Sequence, residues 1–140
     1  MRRKHLENII YHIKMTQEDK ELLLKDLSAR LPYGVKINVN GEEDTLLELG
    51  VDTGWVNASY DIEEVKPYLR PMSSMTEKER NEYFNIIKNS IEFYNCPKSE
   101  DICFLIVPID WLLAHHFDYR GLIEKGLAIK VTKENNPYKE

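Results

Sequence analysis

Val35, Ile37 and Val39 alternate with Lys36 and Asn38 and run straight into Asn40-Gly41. Strict alternation marks a half-buried strand. An Asn-Gly pair directly after it supplies the two positive-φ residues of a type I′ turn, so the chain must return antiparallel. The return, residues 43–49, is strongly acidic (Glu42, Glu43, Asp44, Glu48). A turn at Asp52-Thr53-Gly54 then leads into Trp55–Tyr60, read as a third strand of an antiparallel meander. Asp61 with Glu64 caps a single helical turn before Pro67, because a residue preceding proline avoids the α region.

Helical spacing brackets this meander. Leu6, Ile9, Ile10 and Ile13 place one apolar stripe on a helix over residues 3–14. Thr16 with Asp19 starts a second helix, buried through Leu22, Leu23, Leu24 and Leu27 and stopped by Pro32 and Gly34. Two prolines argue against regular structure in 67–75. Thr76 and Glu79 form a capping box for a helix over 77–91, with Tyr83, Phe84, Ile87 and Ile91 on one face. Residues 102–107 are apolar enough for a strand or a helical turn, and periodicity does not separate the two. Pro108 suits the first turn of a helix reaching His115. Asp118 caps a shorter helix ended by Gly126, and Leu127, Ile129 and Val131 alternate as a last strand. Runs of strands and runs of helices give an α+β fold: a small antiparallel sheet of about three to five strands packed against several helices. The domain is residues 15–132, with 1–14 a helical extension and 133–140 a flexible tail.

At 140 residues one core suffices without disulfides or metal. Arg2, Arg3, Lys4 and Lys14 against Glu7 give residues 1–15 a balance of +3, which leaves −8 on residues 16–140. An acidic body is a poor general nucleic-acid binder. No apolar run reaches the ~18 residues of a membrane span. Two cysteines, Cys96 and Cys103, without an export signal read as reduced thiols of a cytoplasmic protein.

No catalytic signature emerges. His115 and His116 are adjacent, so a regular helix would aim them ~100° apart rather than at one ion, and neither H-E-x-x-H nor a His-Asp dyad is present. No cofactor loop and no G-x-S-x-G elbow occurs. A helix-turn-helix around His116-Phe117 would offer only Arg120 and Lys125 to phosphates, beside Asp118 and Glu124. The stronger hint is aromatic and arginine density. Tyr68, Arg70, Trp111, His115, His116, Tyr119 and Arg120 fall in the two segments that periodicity explains least, and they include the residue types favoured at binding hot spots. The internal alternative makes Tyr68 and Trp111 core anchors and pairs Arg70 or Arg120 with Asp110 or Asp118.

The segments Leu31–Lys36, Val65–Thr76 and Ile109–Ala128 resemble a family of small uncharacterised proteins. That family is encoded by Bacteroides-like anaerobic gut bacteria and by their phages and mobile elements. The likeness covers residues 15–131 and makes 1–14 an extension. It implies a small cytoplasmic accessory protein of phage-like setting and transfers no catalytic residue. The combined expectation is a non-enzymatic binding protein that acts through a protein partner, interfering with a host process such as defence. The alternatives are a binder that sequesters a nucleotide or similar anion between Arg70 and Arg120, and a metal-assisted hydrolase using His115, His116 and Asp118. No cofactor is called for, and a homo-oligomer is compatible with each reading.

Overall fold

In the computed structural model, residues 15–50, 52–94 and 101–139 are described. The extension expected over 3–14 and residues 95–100 lie outside them. Helix α1 spans Gln17–Arg30 and opens with the expected box: Asp19 N–H donates to Thr16 Oγ1 at 3.0 Å, and the Asp19 carboxylate accepts from Thr16 N–H. Leu23 and Leu27 are fully buried, while Leu22 and Leu24 sit half-buried beside the core. A short 3₁₀ turn, Leu31–Tyr33, then ends at Gly34 in the left-handed region.

Strands β1 (Lys36–Val39) and β2 (Glu42–Thr45) form the expected hairpin, with positive φ at both Asn40 and Gly41. Val35, Ile37 and Val39 point into the core as the alternation requires. The segment Trp55–Tyr60 is not one strand. Asn57 and Ala58 both take positive φ, which folds it into a small separate hairpin of β3 (Trp55–Val56) and β4 (Tyr60–Asp61). Asp61 caps the following 3₁₀ turn, Ile62–Glu64, by accepting from Glu63 N–H.

The largest departure is β5, Val65–Pro71, which runs through both prolines as the central strand. It pairs antiparallel with β1 and parallel with β6 (Phe117–Asp118) and β7 (Ile129–Lys130), so the main sheet is mixed rather than antiparallel. The register explains why the prolines are tolerated. Ile37 stands opposite Pro67, and backbone polar groups are paired at the neighbouring position, where the Tyr138 hydroxyl bridges Lys36 N–H and the Tyr68 carbonyl. Pro67 therefore occupies a non-hydrogen-bonded pair, where a missing N–H costs no bond to β1. Arg70 N–H donates to the His116 carbonyl at 2.8 Å. Successive residues alternate in direction, so the nitrogen of Pro71 faces away from β6.

Helix α2 (Glu77–Tyr94) begins with the Thr76–Glu79 box. Phe84 lies off its buried face at 57% exposure, whereas Tyr83 turns inward to Trp111, ring centres 5.4 Å apart. Helix α3 is Asp101–Ala114, so 102–107 is helical and Pro108 lies inside the helix rather than at its start. Asp118 caps turns and not a helix: its carboxylate accepts from Leu122 and Ile123 N–H, both at 3.0 Å. Gly126 is left-handed as expected. The tail after Lys133 does not run free, because Tyr138 comes back to the sheet. Among the described residues no helix is long and apolar enough to cross a membrane.

Candidate functional site

The seven residues singled out from the sequence lie around the end of β5, but they face one another. Tyr68 is buried, and its hydroxyl accepts from Asn38 Nδ2 at 3.0 Å. Arg70 grips Glu79 with two bonds of 2.8 and 2.7 Å while its guanidinium lies 4.1 Å over the Phe117 ring. Trp111 stacks on His115, ring centres 4.0 Å apart, and on Phe117 at 5.8 Å. His115 Nδ1 lies 2.8 Å from the Trp111 carbonyl oxygen, which fixes a proton on that nitrogen. His116, in the left-handed region at φ 64°, stacks on Tyr138 at 3.7 Å.

Beneath them sits a buried ion network. Asp26 and Arg30 are each fully buried one helical turn apart; Arg30 Nε donates to Asp26 Oδ2 at 2.6 Å, and Nη2 donates to the Phe117 carbonyl at 2.7 Å. Arg120 Nε lies 3.2 Å from Asp26 Oδ1 but off the hydrogen-bond axis, a contact of charges rather than a hydrogen bond. The Tyr119 ring lies beside both guanidiniums, at 5.9 Å from Arg30 and 5.0 Å from Arg120. The internal alternative therefore describes this corner better than a hot spot does, although the acids that answer Arg70 and Arg120 are Glu79 and Asp26 rather than Asp110 or Asp118. The arginines do not converge on an anion. His115 and Asp118 are each hydrogen-bonded elsewhere and His116 is stacked on Tyr138 with its buried Nδ1 unpartnered, and the three form no metal-holding group.

This packing makes the corner acid-sensitive. Burial holds His116 well below the ordinary imidazole value, at about 4, helped by the nearby Arg30 charge. The Arg70 guanidinium holds Glu79 at about 2. Both folded-state values lie below the free ones, so the unfolded chain binds more protons between each pair of values and stability falls as pH falls. For His116 that window runs from 6.5 down to about 4, and for Glu79 from 4.5 down to about 2. The urea midpoint should decline across the upper window. His116→Asn, which tolerates a positive φ, should flatten that limb and keep the lower one. A wild-type midpoint that is constant across the upper window would mean that His116 ionises freely in the fold.

The surface that does face outward is one the sequence reading passed over. Residues 37–65 carry Glu42, Glu43, Asp44, Glu48, Asp52, Asp61, Glu63 and Glu64 and no lysine or arginine. Within this stretch Leu47 is 70% and Trp55 47% exposed. They border a cleft of about 730 Å³ completed by Leu31, Leu49, Gly50 and Ala58. Its walls are pinned by Asn57. The Asn57 Oδ1 accepts from the N–H groups of Leu47 (2.8 Å) and Glu48 (3.0 Å), while Nδ2 donates to the Thr45 carbonyl at 2.8 Å. Gly50 N–H bonds the Trp55 carbonyl at 2.9 Å, and a Cβ on Gly50 would stand 2.4 Å from the Thr53 hydroxyl oxygen, so a larger residue here would have to turn the Thr53 side chain aside. Ala58 holds φ 60°, a conformation that costs a non-glycine residue on the order of 1 kcal/mol. The available signal was a stretch of 29 residues, 37–65, whose only charged side chains are eight acids and which holds a Trp. Comparison with protein-family models, with curated proteins and with solved structures finds no match to this chain.

Proposed function

We propose that this is a non-enzymatic binding protein that acts through a protein partner, and that the partner docks a basic segment with an apolar anchor into the Trp55–Leu47 cleft. The observation that carries the reading is the pairing of two large exposed apolar side chains with a cleft inside a stretch whose only charged residues are acids. Isolated exposed apolar residues are ordinary; contiguous ones with charged surroundings mark interaction sites. Trp is the residue type most often found as an energetic anchor. The acids add steering and exclude acidic partners. The positive φ of Ala58 and the Asn57 clamp hold the cleft open before binding, which lowers the ordering cost of association. The resemblance of residues 15–131 supports a setting in a phage or mobile element, with interference in a host process such as defence as the outcome, in the cytoplasm.

Trp55 is its own reporter. Peptides with Lys/Arg flanking a Leu or Phe should shift Trp fluorescence to the blue as the indole leaves water, whereas acidic peptides with the same anchor should not. Trp55→Ala or Leu47→Asp should abolish binding with the melting temperature unchanged, because neither side chain supports the core. If the basic peptides bind both variants as well as they bind the wild type, the cleft is not the docking site.

A further inference from the structure

We propose a second, separate binding site: the cleft at the carboxyl ends of β5 and β7 takes a small phosphate-bearing anion. The two strands are parallel, so their carboxyl ends lie together. Such ends are where crevices open in parallel sheets. Here the crevice is about 570 Å³, a size ordinary for small-molecule sites. One wall is the end of β5 and the 3₁₀ turn Met72–Ser74, where Ser73 lines the cleft and the Ser74 hydroxyl donates to the Pro71 carbonyl at 2.7 Å; the other runs from Lys130 to Asn136. Its charged lining is Arg70, Lys130 and Lys133, and no carboxylate lines it. Glu79 answers Arg70. Lys130 and Lys133 are exposed and have no ion-pair partner among the described residues.

Two unanswered ammonium groups in a body of net −8 form a local positive spot. Ammonium groups act on phosphate as point charges, and the Ser73 hydroxyl is a hydrogen-bond donor to its oxygens. No aromatic ring lines the cleft, so the phosphate itself, and not a stacked base, is what the site reads. Arg120, on the buried network, takes no part. The site shares no residue with the Trp55 cleft, so either assignment can fail without the other.

The test is a ¹H–¹⁵N NMR titration with inorganic phosphate, pyrophosphate and ATP at 50 mM salt. Saturable shifts should localise to residues 72–76 and 130–136, and affinity should rise from phosphate to pyrophosphate. Lys130→Ala/Lys133→Ala should weaken pyrophosphate binding on the order of tenfold or more, with the spectrum otherwise preserved. Lys88→Ala, an exposed lysine on α2 away from the cleft, should bind as the wild type does. Absent shifts with all three anions, shifts centred elsewhere, or an unchanged affinity in the double variant would each overturn the proposal.

Discussion

Asp26→Ala should cost about 3–5 kcal/mol of stability, among the largest losses expected from a charged residue in the described part of the chain. Its carboxylate answers two cations: Arg30, fully buried one helical turn on, and Arg120, reaching across from the loop after β6. Removing it leaves a guanidinium in the interior with the Phe117 carbonyl as its remaining hydrogen-bond partner. Placing two ions inside is itself expensive, so the intact pair is weak evidence of net stabilisation, but breaking it exposes the whole desolvation cost. The distinguishing comparison is Asp26→Leu with Arg30→Met. If the loss comes from an orphaned charge, the double variant should recover much of the stability missing from Asp26→Ala in urea titration. A single variant that loses less than about 1 kcal/mol would instead place the pair in the regime of solvent-screened surface ion pairs.

That network also marks where sequence reading stops. The α1 stripe Leu23, Asp26, Leu27, Arg30 has helical spacing, but two of its four members are charged, and hydrophobic periodicity counts only the leucines. The Asp26–Arg30 spacing was visible; that its partner on the far side would be Arg120 depends on a fold in which the end of β5 brings residues 70 and 117 together. Local signals did better. Both Thr boxes, the Asn40-Gly41 turn, the Asp61 cap and the left-handed Gly126 are each decided by a few adjacent residues, and each formed. The prolines of β5 misled because their penalty depends on which edge of the strand each nitrogen faces, a matter of register. Pro108 misled because the helix has already begun at Asp101, and tertiary context can override a propensity that favours proline only in the first turn. For the candidate site, aromatic and arginine density picked out residues that the fold gathers around the end of β5. Density alone does not say whether such groups satisfy one another, and here Glu79 and Asp26, outside both segments, took up the arginines. The Trp55 cleft depends on Asn57 and Ala58 leaving the β region, and an Ala at positive φ has no sequence signature.

Tyr138→Ala should be nearly as damaging as the loss of Asp26, although the residue lies in a polar tail. The β1–β5 register puts Lys36 opposite Tyr68, where a ladder bond is due. The Tyr138 hydroxyl stands in that bond instead, accepting from Lys36 N–H at 2.9 Å and donating to the Tyr68 carbonyl at 2.7 Å. Burial pushes its phenol well above the ordinary value, so it remains the neutral donor this bridge requires. Its ring meanwhile covers His116, 3.7 Å away and nearly parallel. Two contributions can then be separated. Tyr138→Phe keeps the ring and strands two backbone groups, which should cost about 1–3 kcal/mol. Tyr138→Ala also removes the ring and uncovers His116, for a total of about 3–5 kcal/mol. Hydrogen exchange locates the effect: the Lys36 amide should lose protection in both variants, because its acceptor is gone, while amides of α1 exchange as before under conditions where the fold persists. With His116 uncovered, Tyr138→Ala should also lose the pH dependence between 6.5 and about 4 that burial creates, whereas Tyr138→Phe should retain it. Unchanged Lys36 exchange in Tyr138→Phe would show that the strands close on each other without the tail, and that its docking is not what completes the sheet.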